Sequence, residues 1–535
     1  MIDQALLEAL ADPAFYPHRP PSVEVRQTHI SVVALAGPLV YKVKKPVAFG
    51  FCDFSTLEKR RHFCHEELRL NRRLAPDVYH RVVPIVREMD GGLALDGQGE
   101  PIEYAVEMRR LAVDQMLPAR LSAGHVTPET MAALAGVVHA FHTAAARSET
   151  INAYGRLEVI EAEVRQNFEQ LEPFTGRIIE PEAFALLRDR TERFLATHHD
   201  LFSQRIADGR IVEGHGDLHA DHICLEAGGT VIYDCIEFNE AFRCLDIASE
   251  VAFLAMDLDS LGYPALAEAF VLHYRALAED PGLPRLLPFY QSYRAVVRGK
   301  VESFRLDDPD IPDREKTEAQ TSARHYLELA CLYAQAFDLP ALIICCGLIG
   351  SGKSTLAASL ASHLDGVVLR SDLVRKELSG LPPEARRFEP YGAGLYGQAM
   401  TERTYEALFE RARPLLAAGR TVILDATFAR RSDRIRARQL AAEAAVDAWC
   451  CWCRLGEEEL RRRLRHRQAE ERGPSDAREA LLEPLSAAFE PPEEWPTHTL
   501  IVVETDQPPG ACTAQVIERL QPRPAIPSRT VSPER

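Results

Sequence analysis

The first half of the chain alternates short apolar strands with amphipathic helices. ISVVALAG and LVYKVKK, joined by Gly37-Pro38, have the pattern of a β-hairpin. A helical pattern follows over FSTLEKRRHFCHEELRLNRRLA and ends before Pro76. The strand candidates VVPIVREM and YAVEMRRL flank the turn DGGLALDGQG, and residues 128–204 are mostly helical. Two short apolar strands in IVEGHGDLHADHICL and TVIYDCIEF then surround a polar loop, before helical periodicity resumes over 244–337.

A different pattern begins after Asp338-Leu339-Pro340. ALIICCG is a nearly continuous apolar run, which is typical of a buried strand in a parallel sheet. Strand and helix patterns then alternate through VVLRSD, TVILDATF, AWCCWCRL and LIVVET, which predicts an α/β layer. The last segment, QPRPAIPSRTVSPER, has the composition of a disordered tail. We therefore expect two domains over 1–337 and 338–510, and a disordered tail over 511–535.

Composition restricts the function classes and the compartment. The 535 residues carry a net charge of −17, which disfavours a general nucleic-acid binder but leaves a local basic groove open. No apolar stretch of about 18 residues occurs, and the start MIDQALLEALADP is not a signal peptide, so we expect a cytoplasmic protein without a membrane span. The twelve scattered cysteines fit reduced thiols. Cys450 and Cys453 form a C-x-x-C inside an apolar run, which favours strand core over metal binding.

A phosphate-binding pattern follows the strand ALIICC. Residues 347–354, GLIGSGKS, satisfy G-x-x-x-x-G-K-[ST] and open the helix TLAASLASHL. Glycines let backbone amides turn toward phosphates, and the helix N-terminus adds partial positive charge. The lysine reaches the outer phosphates and the serine holds Mg²⁺. The strand–loop–helix context disfavours the alternative, a chance Gly-rich turn. The candidate nucleotide-binding residues are Gly347, Gly350, Ser351, Gly352, Lys353, Ser354 and Thr355.

Further candidates lie beside this loop. Asp425 ends the strand TVIL, where a carboxylate that helps Ser354 to hold Mg²⁺ is expected. Asp372 follows the strand VVLR, where it can take a proton from an acceptor hydroxyl, and Arg375 can hold an anionic acceptor group. Helix N-capping is the alternative role for Asp372. Arg463 and Arg467 share a face of the charged helix EEELRRRLRHRQAEER, which is either a kinase lid or a solvated helix.

These C-terminal motifs resemble the small P-loop kinases. GLIGSGKST, SDLVRKEL, LDATFARRSDR and RLRHRQ are similar to the polynucleotide 5′-kinase, gluconate kinase and zeta-toxin group of AAA-type ATPases, over about residues 341–505. The resemblance implies phosphoryl transfer from ATP with Mg²⁺. In polynucleotide kinases an Asp and an Arg three residues later act as base and acceptor contact, and Asp372 and Arg375 have that spacing.

A polar loop carries the candidate chemistry of the N-terminal half. HGDLHADH lies between apolar segments, and Asp234 ends the strand VIY seventeen residues after Asp217. Two such carboxylates can divide labour, one accepting a substrate proton and the other binding the metal that bridges ATP phosphates. The alternatives are a Zn²⁺ site formed by the three histidines, or simple turn chemistry.

The loop resembles the aminoglycoside phosphotransferase family. HGDLH matches the family's H-G-D-x-H, LDIASEVA is similar to its downstream D-P-A-x-D-L-A, and the resemblance spans about residues 25–335. It implies a protein-kinase-like bilobal fold, with Asp217 as catalytic base and Asp234 as the principal Mg²⁺ ligand. Lys42 would contact the α- and β-phosphates and pair with Glu67. Lys44, on the same strand face, is the rival for the lysine role.

The same resemblance implies a hinge and includes one departure. The strand YAVEMRR would be the hinge, with backbone groups near Glu107 and Met108 facing the adenine. The family's metal-binding Asn is His222 here. Because Mg²⁺ prefers oxygen ligands, this leaves a shifted metal site, a preference for another ion such as Mn²⁺, or lost activity. A Gly-rich phosphate-covering loop is missing between the first strands.

Three functions stay open on the sequence. The first is a bifunctional kinase acting on hydroxyl groups of small molecules. The second is an active P-loop kinase with an N-terminal kinase-fold binding or regulatory module. The third is a nucleic-acid end-repair or toxin-like kinase, which a basic groove formed by Arg375, Arg386, Arg387 and Arg403 would favour and the acidic balance disfavours. The sequence predicts neither the acceptors nor the oligomeric state.

Overall fold

The computed structural model describes most of the chain. The described residues are 3–89, 91–309, 311–337, 340–364, 366–382, 385, 392–444, 446–469 and 479–520, with the side chains of 467–469 excepted.

Clustering of contacts divides the chain into two compact units. Of the described residues, the first unit contains those up to Arg188 together with His199–Ala334, and the second contains Asp189–His198 and those from Gln335 to Leu520. The predicted domain boundary falls at the start of the second unit, although residues 338 and 339 lie outside the described residues.

The strands coincide only in part with the predicted apolar runs, because Val23–Gln27, Ala48–Phe49, Cys52–Asp53, Leu93–Leu95 and Cys244–Asp246 lie outside those runs. They are β1 Val23–Gln27, β2 Ser31–Ala36, β3 Leu39–Lys44, β4 Ala48–Phe49, β5 Cys52–Asp53, β6 Tyr79–Arg87, β7 Leu93–Leu95, β8 Glu100–Arg109, β9 Ile211–Glu213, β10 Ile223–Glu226, β11 Gly229–Ile232, β12 Cys244–Asp246, β13 Ala341–Cys346, β14 Val367–Arg370, β15 Val422–Asp425, β16 Asp447–Arg454 and β17 Leu500–Glu504.

Helices account for most of the remaining described residues. They are α1 Gln4–Ala11, α2 Leu57–Asn71, α3 Leu117–Ser122, α4 Pro128–Ala144, α5 Glu149–Ala153, α6 Leu157–Leu171, α7 Pro181–Thr197, α8 His199–Ala207, α9 Glu240–Arg243, α10 Ile247–Ser260, α11 Pro264–Ala278, α12 Leu283–Phe304, α13 Asp313–Gln335, α14 Lys353–Leu364, α15 Ser371–Leu378, α16 Gln398–Ala417, α17 Arg431–Glu443, α18 Glu457–Ala469, α19 Leu482–Ala487 and α20 Pro509–Leu520.

The first unit begins with a six-stranded antiparallel sheet in the order β1-β2-β3-β8-β6-β7. The predicted hairpin is confirmed as β2 and β3, and Gly37 in its turn has φ +63°, which favours glycine. Helix α2 begins after Thr56, whose hydroxyl accepts from the Lys59 amide, and it packs on β6 and β8. The rest of the unit is mainly helical, with three two-stranded sheets, β4-β5, β10-β11 and β12-β9. The polar loop of the candidate site lies between β9 and β10.

The second unit is built on a five-stranded parallel sheet in the order β14-β15-β13-β16-β17. All six residues of β13 are buried, which explains its unbroken apolar run. Apolar cores cover both faces of the sheet. The prediction of a parallel α/β sheet is confirmed, and the whole chain is of mixed α/β class.

Two finer predictions fall on β16 and α20. Cys450 and Cys453 are buried in β16, but they belong to the cores on opposite faces of the sheet, so they do not converge on one ligand. The predicted disordered tail begins too early, because residues 511–520 belong to α20. Cys512 and Val516 of this helix are buried against the sheet, and that burial outweighs the polar composition of the chain end. Residues 521–535 lie outside the described residues.

Within the described ranges, none of the helices combines the length and the apolar character that crossing a membrane requires.

Candidate functional sites

A deep cleft in the first unit collects the predicted N-terminal site residues. Its volume is about 1520 Å³, and its lining includes Lys42, Asp217 and Asp234. Lys42 comes from β3, Asp217 from the loop between β9 and β10, and Asp234 from the segment after β11. Residues that are up to 192 positions apart along the chain therefore meet at one surface.

Lys42 is the centre of an ion-pair network in this cleft. Its Nζ lies 2.6 Å from Asp234 Oδ1 and 2.9 Å from Glu67 Oε1 on α2. Burial alone would lower the pKa of Lys42, but the negative charges of Asp234 and Glu67 raise it well above its usual value. Lys42 is therefore a permanent cation that is held between two carboxylates.

Lys44 has a different environment from Lys42. Its Nζ lies 2.7 Å from Glu67 Oε2 and also contacts Glu237, and its side chain is 0% exposed against 15% for Lys42. Burial opposes the charge of Lys44, but Glu237 and Glu67 raise its pKa. Lys42 lines the cleft and Lys44 does not. Of the two rival lysines, only Lys42 is therefore positioned to reach a ligand.

Glu250 of α10 stabilises the H-G-D loop by accepting hydrogen bonds from its backbone. Its Oε1 accepts from the backbone amides of His215 at 2.7 Å and Gly216 at 2.5 Å, and its Oε2 contacts His142 Nε2 at 2.8 Å. Burial alone would raise the pKa of Glu250, but the hydrogen bond from His142 lowers it to about 2. Gly216 has φ +87°, and a Cβ there would lie 2.7 Å from the Phe242 carbonyl oxygen. The loop conformation therefore requires glycine at this position.

Asp217 faces two histidines. Its Oδ2 lies 3.5 Å from His219 Nε2 and 3.6 Å from His222 Nδ1. Burial favours the neutral acid, but the hydrogen bond from His219 and the nearby positive charge hold the pKa of Asp217 well below its usual range. In turn, burial lowers and Asp217 raises the pKa of His219, with a net increase. One ligand atom from each of these three residues lies within 4.8 Å of the others, close enough to share a metal ion.

His222 lies between the two candidate catalytic carboxylates. Its Nδ1 is 3.0 Å from the backbone carbonyl of Asp217, which can only accept, so Nδ1 carries the proton of the neutral ring. Its Nε2 then presents a lone pair 3.7 Å from Asp234 Oδ2. Asp234 has φ +63°, a conformation that is rare outside glycine, and its amide donates to the Tyr79 hydroxyl at 3.2 Å. Two electron-rich atoms therefore face each other across a gap that suits a cation.

The predicted hinge residues lie inside the sheet. Glu107 and Met108 belong to β8, which is flanked by β3 on one side and β6 on the other. Met108 lines the cleft, whereas the Glu107 carboxylate accepts from the Tyr41 hydroxyl at 3.3 Å. The strand continues to Arg109, within the predicted strand YAVEMRRL.

The second unit carries the P-loop at the carboxyl end of β13. Gly347, Gly350 and Gly352 have φ values of +138°, +79° and +85°, and a Cβ on Gly347 would lie 2.4 Å from the Cys453 carbonyl oxygen. Lys353 begins α14 and donates to the Leu348 carbonyl at 2.6 Å, and the Ser351 hydroxyl is buried without a hydrogen-bond partner. Ser354 and Thr355 follow in the first turn of α14. Such a cradle, with an unsatisfied donor, fits a phosphate group.

Three other predicted residues lie at this edge of the sheet or just beyond it. Asp425 ends β15 opposite Cys345 of β13, is buried, and lies 3.3 Å from Arg370 Nε. Asp372 lies in the first turn of α15, directly after β14. Arg375, one turn further, is buried and donates to the Leu395 carbonyl at 2.8 Å. Arg375 is thus already engaged within the protein.

The predicted lid arginines are described only in part. Arg463 of α18 donates to the Thr505 carbonyl at 2.7 Å and to Glu459 at 3.0 Å, and its guanidinium is 3.7 Å from the position of a Cβ on Gly352. The Thr505 hydroxyl donates to the Ser351 carbonyl at 2.9 Å. Arg463 therefore lies against the P-loop. The side chain of Arg467 and the residues Arg386 and Arg387 lie outside the described residues.

Comparison with known sequences assigns the second unit and the whole chain separately. Residues 342–492 match the family model of an AAA domain, so this unit is an AAA-type, nucleotide-binding P-loop domain. Uncharacterised proteins of Mycobacterium tuberculosis and Mycobacterium bovis are each 35% identical over 423 residues, which is 79% of this chain and 82% of theirs. The chain belongs to the family of these mycobacterial proteins. The match is too long to be confined to the AAA domain, so family membership includes part of the N-terminal half.

Solved structures match over about a third of the chain. A gluconokinase from Sinorhizobium meliloti is 21% identical, with a TM-score of 0.25 over 34% of this chain and 92% of its own. The APS kinase CysC of Mycobacterium tuberculosis, in complex with AMPPNP and APS, is 20% identical, with a TM-score of 0.26 over 34% and 98%. At these identities and TM-scores the likenesses carry no information about function.

Some site residues were missed by the sequence reasoning. Glu250 is the single charged residue in the segment ASEVAFLAM, and Glu237 follows Asp234 in DCIEF. A carboxylate within such an apolar segment indicates a buried partner. Arg370 precedes Ser371-Asp372 and gives no comparable signal. Thr505 also gives none, because its contact with the P-loop depends on the position of β17.

Proposed function

We propose that the chain is an ATP-dependent phosphotransferase with two kinase-type domains. Each domain would transfer the γ-phosphate of ATP to a hydroxyl group of a small-molecule acceptor. The observation that carries the proposal is the Lys42–Glu67–Asp234 network beside Asp217 in one cleft. This is the charge arrangement that the aminoglycoside phosphotransferase resemblance implies. The two domains would occupy residues 1–337 and 338–520, the second extended through α20.

The residues of the N-terminal cleft would divide the work. Lys42 would bind the α- and β-phosphates, and Glu67 would orient the Lys42 ammonium group. Asp217, which is ionised at neutral pH, would accept the acceptor's hydroxyl proton. The acceptor oxygen would form its bond to the γ-phosphorus as the bond between that phosphorus and the leaving oxygen of ADP breaks. Asp234 would hold a divalent cation, which supplies charge neutralisation on the phosphates when bound.

The metal preference of this site would follow from His222. Its Nε2 and Asp234 Oδ2 face each other at 3.7 Å, so an ion bound between them would have one imidazole ligand. Imidazole suits Mn²⁺ better than Mg²⁺, which prefers oxygen. Of the three options that the sequence leaves open, this geometry favours the use of Mn²⁺.

The second candidate function of the N-terminal domain is a kinase-fold module that binds ligands without catalysis.

The C-terminal domain would be a P-loop kinase. The phosphate cradle and the buried Ser351 hydroxyl fit bound ATP, and Lys353 would contact its outer phosphates. Ser354 and Asp425 would hold Mg²⁺, and Asp372 would accept the acceptor's proton. Arg463, which belongs to α18, would neutralise the negative charge of the phosphate group during its transfer. Because Arg375 is bound to the Leu395 carbonyl, an acceptor contact from Arg375 would require that hydrogen bond to be exchanged.

The test separates the two N-terminal carboxylates. The full chain carries Lys353→Ala, so that the ATP turnover measured comes from the N-terminal site. Turnover is measured with Mg²⁺ or Mn²⁺ and with a panel of sugars, aminoglycosides and nucleosides as acceptors. We expect Asp217→Asn to lower turnover by at least about a hundredfold with ATP affinity nearly intact. We expect Asp234→Asn to weaken ATP binding as well, because Asp234 holds the metal. ATP binding that is insensitive to Asp234→Asn under both metals would favour the non-catalytic module.

A further inference from the structure

A row of cations lines the cleft on the side of α12. Arg294, Arg298 and Lys300 of this helix all belong to the cleft lining. Arg294 and Arg298 are four residues apart and so share one helix face, with Val297 and Val301 beside them in the lining. This wall is adjacent to the proposed base, because Arg294 donates to the carbonyl of Gly216 at 3.3 Å, directly before Asp217.

The three cations have uncharged partners. Arg294 donates to the Ser249 hydroxyl at 3.1 Å and lies 4.8 Å over the Phe253 ring. Lys300 Nζ donates to the side-chain carbonyls of Asn167 at 2.6 Å and Gln170 at 2.9 Å. Within the described part of the chain, neither forms an ion pair with a carboxylate.

Arg298 is the least satisfied of the three. Its guanidinium lies 5.5 Å over the Tyr326 ring, and its Nε is buried without a hydrogen-bond partner. Among the residues that the structure describes, it also forms no ion pair with a carboxylate. Burial lowers the pKa of Arg298, but the Tyr326 hydroxyl and the charges of Asp257 and Asp217 keep it raised. Arg298 is therefore a permanent cation with an unused donor beside the base.

Away from α12, the arginines of this unit that are fully buried among the described residues are Arg60, Arg205 and Arg243, and each is paired with a carboxylate. Arg60 binds Glu103 at 2.7 Å, and Arg205 binds Asp246 at 2.6 Å. A buried charge is costly unless it is paired. Asp257 and Asp217 act on Arg298 without forming an ion pair with it, and Arg294 and Lys300 have uncharged partners, so a ligand that supplies negative charge fits this cleft wall. Glu163 also lines the wall, but it accepts from the Tyr293 hydroxyl at 3.1 Å, and burial raises its pKa and so disfavours its charged form.

We propose that the N-terminal site takes an acceptor alcohol that also carries an anionic group, a phosphate or a carboxylate, bound by Arg298 and Lys300. This inference rests on the proposed kinase function of the cleft and specifies its substrate class. The guanidinium of Arg298 matches the fork geometry of both anions. Lys300 adds a point charge, and the Val297–Val301 surface contacts the apolar part of the molecule. Polycationic aminoglycosides are disfavoured by the same charges.

The test measures anion binding and acceptor choice on one set of chains. Inorganic phosphate, acetate, glucose 6-phosphate and glucose are titrated into the full chain carrying Lys353→Ala, and ATP affinity is measured on the same sample. We expect glucose 6-phosphate to bind at least about tenfold more tightly than glucose, and phosphate or acetate to compete with it. Phosphate competing alone identifies a phosphate site, and acetate competing alone identifies a carboxylate site.

Variants assign the binding to α12. We expect Arg298→Gln and Lys300→Gln each to weaken anion binding by about ten- to a hundredfold, with ATP affinity within about twofold. Arg285→Gln, on the same helix but outside the cleft lining, is the matched control and is expected to change neither. Thermal melting shows whether either variant is misfolded. If one is, the other variant still tests the inference.

Three results overturn the inference. The first is anion binding that survives both α12 substitutions, and the second is anions that bind no better than glucose. The third is a loss of ATP affinity equal to the loss of anion affinity, which would show that Arg298 and Lys300 bind the nucleotide instead of the acceptor. Failure of the kinase function itself is distinguishable, because it appears as absent ATP binding while anion binding still depends on Arg298.

Discussion

At the scale of single residues, Lys42 and Lys44 show how position decides function. They are two positions apart on β3 and share the carboxylate of Glu67, yet only Lys42 reaches the cleft. Alternation along a strand places both on one face, so the sequence pattern cannot distinguish them. The difference arises from Glu237, which encloses Lys44 and comes from a distant part of the chain.

These environments predict different effects of the same substitution at the two lysines. Lys44→Met leaves Glu237 buried without its partner and is expected to destabilise the first unit by about 3–5 kcal/mol. Lys42→Met leaves Glu67 paired with Lys44 and Asp234 partly exposed, so we expect a smaller loss of stability together with loss of ATP binding at the N-terminal site. Urea denaturation and ATP titration in the Lys353→Ala background measure both. Equal stability losses in the two variants would show that Lys44 is not the structural lysine.

At the scale of elements, the parallel sheet was the most predictable part of the fold. The strands β13 to β17 all coincide with apolar runs, because buried parallel strands carry apolar residues on both faces. Helix α20 was missed, since it depends on packing against the sheet rather than on local composition.

The P-loop gives a prediction at this scale. A Cβ on Gly347 would lie 2.4 Å from the Cys453 carbonyl, and φ there is +138°, so Gly347→Ala must distort the junction between β13 and the loop. We expect ATP affinity of the C-terminal site to fall by about tenfold or more, measured in the Lys42→Met background. Gly456→Ala is the control, since nothing lies within 4 Å of its Cβ. An unchanged affinity in Gly347→Ala would contradict the proposed close approach.

At the scale of the whole molecule, the order of the motifs predicted two kinase-type halves, and the chain divides into two compact units. The sequence indicated Asp217 and Asp234 as a pair, because short motifs carry their chemistry locally. It did not show what the structural carboxylates bind, such as the bond of Glu250 to the H-G-D loop, or that α12 carries a row of cations. Such partners are set by tertiary packing, which a single sequence does not display.

The most direct test of the central claim is the number of ATP molecules bound per chain. Equilibrium binding is measured with Mg²⁺ and Mn²⁺ together, and it needs no knowledge of either acceptor. Two kinase sites predict two ATP molecules per wild-type chain, one in Lys353→Ala, one in Lys42→Met and none in the double variant. A wild-type chain that binds a single ATP, and loses it entirely in Lys353→Ala, would contradict the N-terminal kinase site.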